Sequence, residues 1–274
     1  MTPTPASDER SIEPGAAWER PFLRIGHGGA GGLATPNTLR SIELALELGV
    51  DMVEFDVRPC RDGLVLLHDD HLAEFGAPEV QVSQCTLAEL RRFKTGDGDP
   101  LPTLTEALDL LQGRALINID LKAAGYEAAV VENVQEHSLA DAVIYSSVIP
   151  ASLRRVRALD PHAKIGLSYP EDRGSASTKP YLKPVVDLVV LGMRLLLPYR
   201  ILPMMADAQA DAVMLYYRVV SRRAVQVVQH AGGKVFTWTV DDPARMTTVQ
   251  AMGVNGITSN HPEHFPAGLT HDAI

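Results

Sequence analysis

The stretch MVEFDV, residues 52–57, decides the fold. Most of its residues are apolar, which is typical of a buried β-strand, but Glu54 and Asp56 alternate with them. Because successive side chains of a strand point to opposite faces, both carboxylates share one face and the apolar residues between them share the other. Two neighbouring acids in a core strand raise each other's pKa, so a cation beside them would stabilise the strand.

Strand-like and helix-like segments alternate along the rest of the chain. The strand-like runs are 22–26, 52–57, 64–68, 115–121, 142–147, 163–167, 187–191, 212–216, 234–240 and 255–259. The helix-like segments are 37–49, 126–138, 151–159, 219–231 and 243–252. This alternation predicts parallel strands with helices outside, and we predict a (β/α)8 barrel of the α/β class. A doubly wound sheet is the alternative.

The ten strand-like runs exceed the eight places in a barrel wall, and 64–68 and 187–191 are the weakest of them. The glycine cluster at 26–32 matches only loosely the phosphate loop of a doubly wound sheet, which favours the barrel.

The predicted domain organisation is simple. Residues 1–20 are rich in Pro, Ser, Glu and Ala and are expected to form a mobile N-terminal tail. Residues 21–274 are expected to form one barrel domain. The polar stretch 72–103 interrupts the alternation and is expected to be a small inserted subdomain.

Composition excludes several classes of function. The net charge of −9 argues against a nucleic-acid partner, because phosphates require a basic surface. The most apolar stretch, 185–198, contains Asp187 and Arg194 and is too short and charged to be a transmembrane segment. Residues 1–20 do not resemble a secretory signal, and Cys60 and Cys85 are expected to be free thiols, although one isolated disulfide stays an alternative. We therefore expect a cytoplasmic protein that acts on a small molecule, with the oligomeric state left open.

A second strand carries further polar residues on one face. In INIDLK, residues 117–122, the same alternation places Asn118, Asp120 and Lys122 together. Barrel active sites lie at the carboxyl ends of the strands, where Asp120 would join the two acids of the first strand. Three carboxylates and no zinc-type Cys or His spacing favour a hard divalent ion, Mg²⁺ or Ca²⁺.

Two histidines complete the candidate site. His27 follows the first strand and His68 ends the run LVLLH, so each lies where a strand becomes a loop. Two histidines beside a metal held by carboxylates suit the proton transfers of phosphoester cleavage. Taken singly, each feature has a structural explanation: a hydrogen-bonded histidine, an exposed polar strand face, or one Asp–Lys ion pair. Their occurrence together favours the functional interpretation.

The order of motifs resembles that of the glycerophosphodiester phosphodiesterases over residues 22–265. The motifs are HGG (27–29), TPNT (35–38), GVDMVEFDVRPCRDGLVLLHDDHL (49–72), CTLAEL (85–90), LPTLTEAL (101–108), INIDLK (117–122), FTWTVDD (236–242) and GVNGITSNHPE (253–263). The segment 49–72 is the most specific of them. The resemblance implies a metal-dependent (β/α)8 barrel that hydrolyses glycerophosphodiesters to sn-glycerol 3-phosphate and an alcohol. A cyclic phosphate, formed by the neighbouring glycerol hydroxyl, is one intermediate that this reaction allows.

The resemblance also implies a role for each site residue. His27 and His68 would be the acid–base pair. Lys122 would contact the phosphate as a point charge, and Trp238 would offer a flat wall to the glycerol. The three metal ligands it implies are Glu54, Asp56 and Asp120.

The sequence departs from the family pattern at several positions. Gly28 stands where the family has Arg, and Arg24, Lys122 or Arg194 would have to supply the missing phosphate contact. Pro36 replaces a Glu, and Asp120 is one methylene shorter than the usual Glu. These departures leave two alternatives. One is a lysophospholipase D or sphingomyelinase D-like phosphodiesterase of the same fold, and the other is a non-catalytic barrel that binds metal or phosphate.

Overall fold

The computed structural model describes residues 13–171 and 183–266. The strands are β1 (Leu23–His27), β2 (Met52–Pro59), β3 (Leu64–Leu66), β4 (His71–Leu72), β5 (Ala77–Gln81), β6 (Leu116–Leu121), β7 (Val143–Ser147), β8 (Lys164–Tyr169), β9 (Ala212–Tyr216), β10 (Lys234–Trp238) and β11 (Gly256–Ser259). Eight of them pair in parallel in the order β1-β2-β6-β7-β8-β9-β10-β11, and β11 pairs back to β1. The predicted (β/α)8 barrel is therefore confirmed.

One helix precedes the first barrel strand, and the other helices lie between barrel strands. They are α1 (Pro14–Trp18), α2 (Leu39–Glu47), α3 (Leu87–Leu90), α4 (Leu104–Leu111), α5 (Glu127–Glu136), α6 (Pro150–Leu159), α7 (Lys183–Ala208), α8 (Arg222–His230) and α9 (Pro243–Gln250). Local sequence sets several of their ends. The Thr38 side chain accepts a hydrogen bond from the Ser41 backbone N–H at the start of α2, and Thr103 and Glu106 form a capping box at the start of α4.

Both of the weakest strand candidates lie outside the barrel wall. The run 64–68 contributes β3, which pairs antiparallel with the end of β2. The interpretation of 187–191 as a strand is wrong, because these residues lie within α7. In the second half of α7, Leu197, Ile201 and Met205 are buried at intervals of four residues. Burial at every fourth residue is typical of a helix with one side packed against a core, so the apolar run 185–198 is helical.

The structure differs from the predicted N-terminal tail over its last residues. Helix α1 buries Ala17 and Trp18, and the Trp18 indole N–H donates to the Asp141 carbonyl oxygen at 2.7 Å. Residues 1–12 lie outside the described part of the chain, as do residues 267–274 of the predicted barrel domain.

The stretch 72–103, predicted as an inserted subdomain, contains the second residue of β4 and all of β5 and α3. A hydrophobic cluster separate from the main core lies in and beside it. Its buried members are Val65, Leu67, Leu72, Phe75, Ala77, Val82, Leu90 and Leu101. Cys60 and Cys85 pack against this cluster and are both free thiols.

Candidate active site

Parallel pairing of β2 with β6 brings the three predicted acids together. The register sets Glu54 beside Asn118 and Asp56 beside Asp120. All three carboxyl groups are buried, and one oxygen from each lies within 4.8 Å of the others. They stand at the carboxyl ends of the strands, where (β/α)8 barrels carry their active sites.

Lys122 follows β6 and lies between two of these acids. Its Nζ is 2.8 Å from Asp56 Oδ1 and 2.5 Å from Asp120 Oδ2. Burial lowers the pKa of Lys122, but the charges of Asp120 and Asp56 outweigh burial, so the pKa is raised and the ammonium stays charged. Burial would raise the pKa of Asp56, but Lys122 and His68 bring it down to about 2.

Glu54 has a different environment. Its Oε2 accepts a hydrogen bond from the Gly28 backbone N–H at 3.0 Å and lies 3.9 Å from His27 Nε2. Burial and the neighbouring Asp56 carboxylate raise the pKa of Glu54 to about 7. Lys122 and His27 lower the pKa of Glu54, but burial and the neighbouring carboxylates outweigh them.

The donor set fits a hard divalent cation. Every candidate ligand is an oxygen, and the cluster carries more negative than positive charge. Asn118 Oδ1 is buried beside the acids and accepts no hydrogen bond from the described residues. An unpartnered buried carbonyl oxygen is costly, and an oxygen-coordinated Mg²⁺ or Ca²⁺ would offset that cost.

His27 is held in one orientation by a chain of hydrogen bonds. Its Nδ1 lies 2.7 Å from Asn260 Oδ1, and the Asn260 amide N–H₂ donates to Asp241 Oδ2 at 2.9 Å. Because a carboxylate only accepts, the Asn260 amide nitrogen must face Asp241 and its oxygen must face His27. The Nδ1 of His27 therefore carries a proton, and its Nε2 is the atom that faces the acids.

The pKa of His27 is raised. Burial lowers it, but the carboxylates of Glu54 and Asp56 and the hydrogen bond to Asn260 raise it by more. The Asp241 carboxylate that supports Asn260 is also fixed, because it accepts hydrogen bonds from the Ser259 hydroxyl and the Asn260 backbone N–H.

His68 lies at the edge of the site. Its side chain is 60% exposed, and its Nδ1 is 2.9 Å from Asp69 Oδ1. The Arg58 guanidinium Nε–H donates to the His68 carbonyl oxygen at 2.7 Å and fixes this bend of the chain. A positive charge on His68 lowers the pKa of Asp56, so His68 lies on the same side of the barrel as the acids.

Trp238 ends β10 and is half-buried. Its indole N–H donates to the Met214 carbonyl oxygen at 2.9 Å, and its ring centroid lies 5.6 Å from that of Tyr216. These contacts fix one edge of the indole to the barrel wall. They do not join it to the acids, so its predicted contact with glycerol stays a prediction.

Of the three cations that might replace the family arginine, only Lys122 lies among the acids. Arg24 pairs with Asp51, which precedes β2 at the opposite end of the barrel, and Arg194 is exposed on α7. Gly28 itself adopts a positive φ of 54°, and a Cβ there would lie 2.7 Å from Pro36 Cβ. A side chain at position 28 would therefore require the following loop to move.

Sequence reasoning missed Asn37, Asn260 and Asp241 as site residues. Asn37 is buried with a φ of +60°, donates from Nδ2 to Asp56 Oδ2 at 2.9 Å and accepts at Oδ1 from the Asp56 backbone N–H at 3.0 Å. Its signal was the TPNT motif, which resembles a family motif. For Asn260 and Asp241 the signal was their position just beyond the ends of β11 and β10.

We expect Asn37→Ala to lower the free energy of unfolding by about 3 kcal/mol, because it removes two hydrogen bonds to buried Asp56 groups and places alanine at a positive φ. Asn37→Gly removes the same bonds but tolerates the backbone, so its loss should be about 1 kcal/mol smaller. Urea unfolding of both variants measures the difference. Equal losses would show that the backbone conformation at position 37 is not strained.

The chain is similar to known proteins both in sequence and in structure. Residues 27–264 match the family model described as the glycerophosphoryl diester phosphodiesterase family. A glycerophosphodiester phosphodiesterase of Caldanaerobacter subterraneus is 29% identical over 255 residues, which cover 88% of this chain and 95% of that protein. A crystal structure of a putative glycerophosphoryl diester phosphodiesterase from Silicibacter pomeroyi has a TM-score of 0.73 at 24% identity, covering 91% and 95% of the two chains.

A second solved structure holds a ligand. It is a phosphodiesterase of Oleispira antarctica in complex with the product sn-glycerol-3-phosphate, with a TM-score of 0.71 at 24% identity, covering 87% of this chain and 93% of that one. At this level of identity both structures show a shared fold.

Proposed function

Since the chain belongs to the glycerophosphoryl diester phosphodiesterase family, we propose that it hydrolyses glycerophosphodiesters to sn-glycerol 3-phosphate and an alcohol. The protein is an enzyme of this family, as the sequence resemblance predicted. The observation that carries the proposal is the buried cluster of Glu54, Asp56 and Asp120 with His27 Nε2 beside it. A family member that had lost catalysis would not need to keep this costly group of charges buried.

Hydrolysis adds water across the bond between phosphorus and the leaving alcohol oxygen. As the attacking oxygen bonds to phosphorus and the bond to the alcohol breaks, one proton leaves the attacker and one reaches the leaving group. We assign these two transfers to His27, through Nε2, and to His68. Lys122 binds a phosphate oxygen as a point charge. The Asn260–Asp241 pair holds the His27 ring in place.

The cluster of acids would hold the divalent ion. Glu54, Asp56 and Asp120 would be its protein ligands, and Asn118 Oδ1 lies beside them as a further oxygen. When bound, such an ion polarises a phosphoryl oxygen and offsets the charge that develops there. With the ion held there, the acids would need the Lys122 ammonium less, and Lys122 would be available to the substrate phosphate.

Removal of the metal tests the proposal. After treatment with EDTA we expect no measurable release of glycerol 3-phosphate from glycerophosphocholine, glycerophosphoethanolamine or glycerophosphoglycerol, and recovery when Mg²⁺ or Ca²⁺ is added. Asp56→Asn should fail to recover, whereas the exposed Asp62→Asn should recover like the parent protein. Full turnover in EDTA would refute metal dependence, and no turnover of any glycerophosphodiester with metal would refute the substrate class.

The raised pKa of Glu54 predicts how metal affinity depends on pH. In the metal-free protein this carboxyl has a pKa of about 7, so below that pH a proton must leave before the metal binds. Affinity should therefore fall by about tenfold for each pH unit below about 7, and level off above it. Calorimetric titration with Mg²⁺ at several pH values measures this, and Glu54→Gln should weaken binding and flatten the dependence. Equal affinity on both sides of about pH 7 would show that the Glu54 carboxyl does not have to lose a proton in this range for the metal to bind.

A further inference from the structure

Exposed apolar side chains are concentrated on one helix. Of the ten large hydrophobic residues that are exposed among the described residues, eight lie on α7. We call these eight the α7 apolar face: Val185, Leu188, Val189, Leu191, Leu195, Leu196, Tyr199 and Leu202. A patch of this kind on a water-facing surface marks a site of interaction.

The members of the face lie on one side of the helix. At 100° per residue they fall within an arc of about 160°, whereas the buried Leu197 and Ile201 point to the opposite side. The exposed Arg200 stands about 20° outside one edge of this arc. An apolar stripe bordered by a cationic side chain is the pattern of a helix that lies flat in the surface of a membrane.

The part of the α7 apolar face on the first half of the helix lies at the active-site end of the barrel. Helix α7 has 26 residues and is about 39 Å long, roughly twice the length of a barrel strand. Its second half packs on the barrel through Leu197, Ile201 and Met205. Its first half meets the carboxyl end of β9, where Arg218 pairs with Asp187 at 2.7 Å. The exposed half of α7 therefore stands beside the mouth that contains the acids.

Charge selects among the surfaces that could cover this face. The whole chain has 25 basic and 34 acidic residues, but residues 183–223 have six basic and three acidic ones. Arg223 joins the same region, because its guanidinium lies 4.5 Å from the centroid of the Tyr199 ring. A locally basic, apolar surface on an acidic protein is complementary to anionic lipid head groups above acyl chains.

We propose that the α7 apolar face docks on an anionic phospholipid bilayer and turns the mouth of the barrel toward it. The leucines enter the boundary between head groups and acyl chains, and Arg200 and Arg223 contact lipid phosphates. No helix in the described ranges is long and apolar enough to cross a membrane, and the proposed contact is a surface contact. Docking does not require turnover, so it can be tested separately from the proposed activity.

Flotation of the full-length protein with vesicles tests the proposal. We expect vesicles with equal parts of phosphatidylcholine and phosphatidylglycerol to bind at least about tenfold more protein than phosphatidylcholine vesicles. The double variant Leu188→Asp/Leu195→Asp should lose at least about tenfold of this binding. These two side chains are 69% and 64% exposed, so the core should not change. Unchanged circular dichroism and unchanged turnover of a water-soluble diester check the fold.

The control is Leu48→Asp, which alters an exposed leucine at the end of α2, next to the opposite end of the barrel. It should bind vesicles like the parent protein. Arg200→Gln/Arg223→Gln should reduce the preference for phosphatidylglycerol, and Arg200→Lys/Arg223→Lys should restore it. Binding that the leucine variant does not reduce would overturn the proposal. The proposal would also be overturned if the parent protein did not bind vesicles and formed a dimer that the leucine variant converted to a monomer. The α7 apolar face would then join two copies of the chain.

Discussion

His27→Gln is expected to lower kcat for a glycerophosphodiester by about a thousandfold while the fold is kept, because general acid–base groups contribute on this scale. The ring lies with Nε2 facing Glu54 and Nδ1 held by Asn260, so its position is suited to one proton transfer. Glutamine has similar bulk and can keep a hydrogen bond to Asn260, but it cannot transfer a proton at pH 7. Steady-state kinetics with excess Mg²⁺ and a thermal unfolding curve measure the two effects.

Two further variants make this result specific. His162→Gln changes an exposed histidine just after α6 and should leave kcat unchanged. The double variant His27→Gln/His68→Gln should be little slower than either single variant, because groups that act as a unit have non-additive effects. A single His27→Gln variant that keeps more than about a tenth of kcat would refute the assigned role.

Lys122→Met is expected to destabilise the metal-free protein by about 3–5 kcal/mol, because it leaves buried carboxylates without their cation. The ammonium contacts Asp56 and Asp120 directly, at 2.8 and 2.5 Å. Excess Mg²⁺ should recover most of this loss, since the divalent ion would offset the same charges. Urea unfolding of parent and variant, each with EDTA and with Mg²⁺, forms a thermodynamic cycle.

The cycle also separates stability from catalysis. With Mg²⁺ bound, the folded Lys122→Met variant should still turn over at least about a hundredfold more slowly, because a charge-assisted contact to phosphate is lost. Lys122→Arg keeps the charge and should retain stability in EDTA, although its planar fork suits the site less well. Equal stabilisation of parent and Lys122→Met by Mg²⁺ would show that lysine and metal do not share the same carboxylates.

The sequence predicted the barrel and the group of acids because both depend on regular patterns. Alternation of strands and helices specifies parallel pairing, and the two-residue period of β2 and β6 specifies which side chains share a face. The same patterns failed at 187–191, where a short apolar run is compatible with a strand or with a helix. Only the packing of Leu197 and Ile201 on the barrel decides for the helix α7.

What the sequence alone determined is therefore the fold, the family resemblance and the residues that carry charge at the carboxyl ends of the strands. The tertiary structure decided how those residues are held. Asn37 meets Asp56 from 19 positions away, and Asn260 meets His27 from 233 positions away. Lys122 lies between two acids because β2 and β6 are neighbours in the barrel. Local periodicity carries no information about such distant pairs, because their contact depends on which strands are adjacent and on their register.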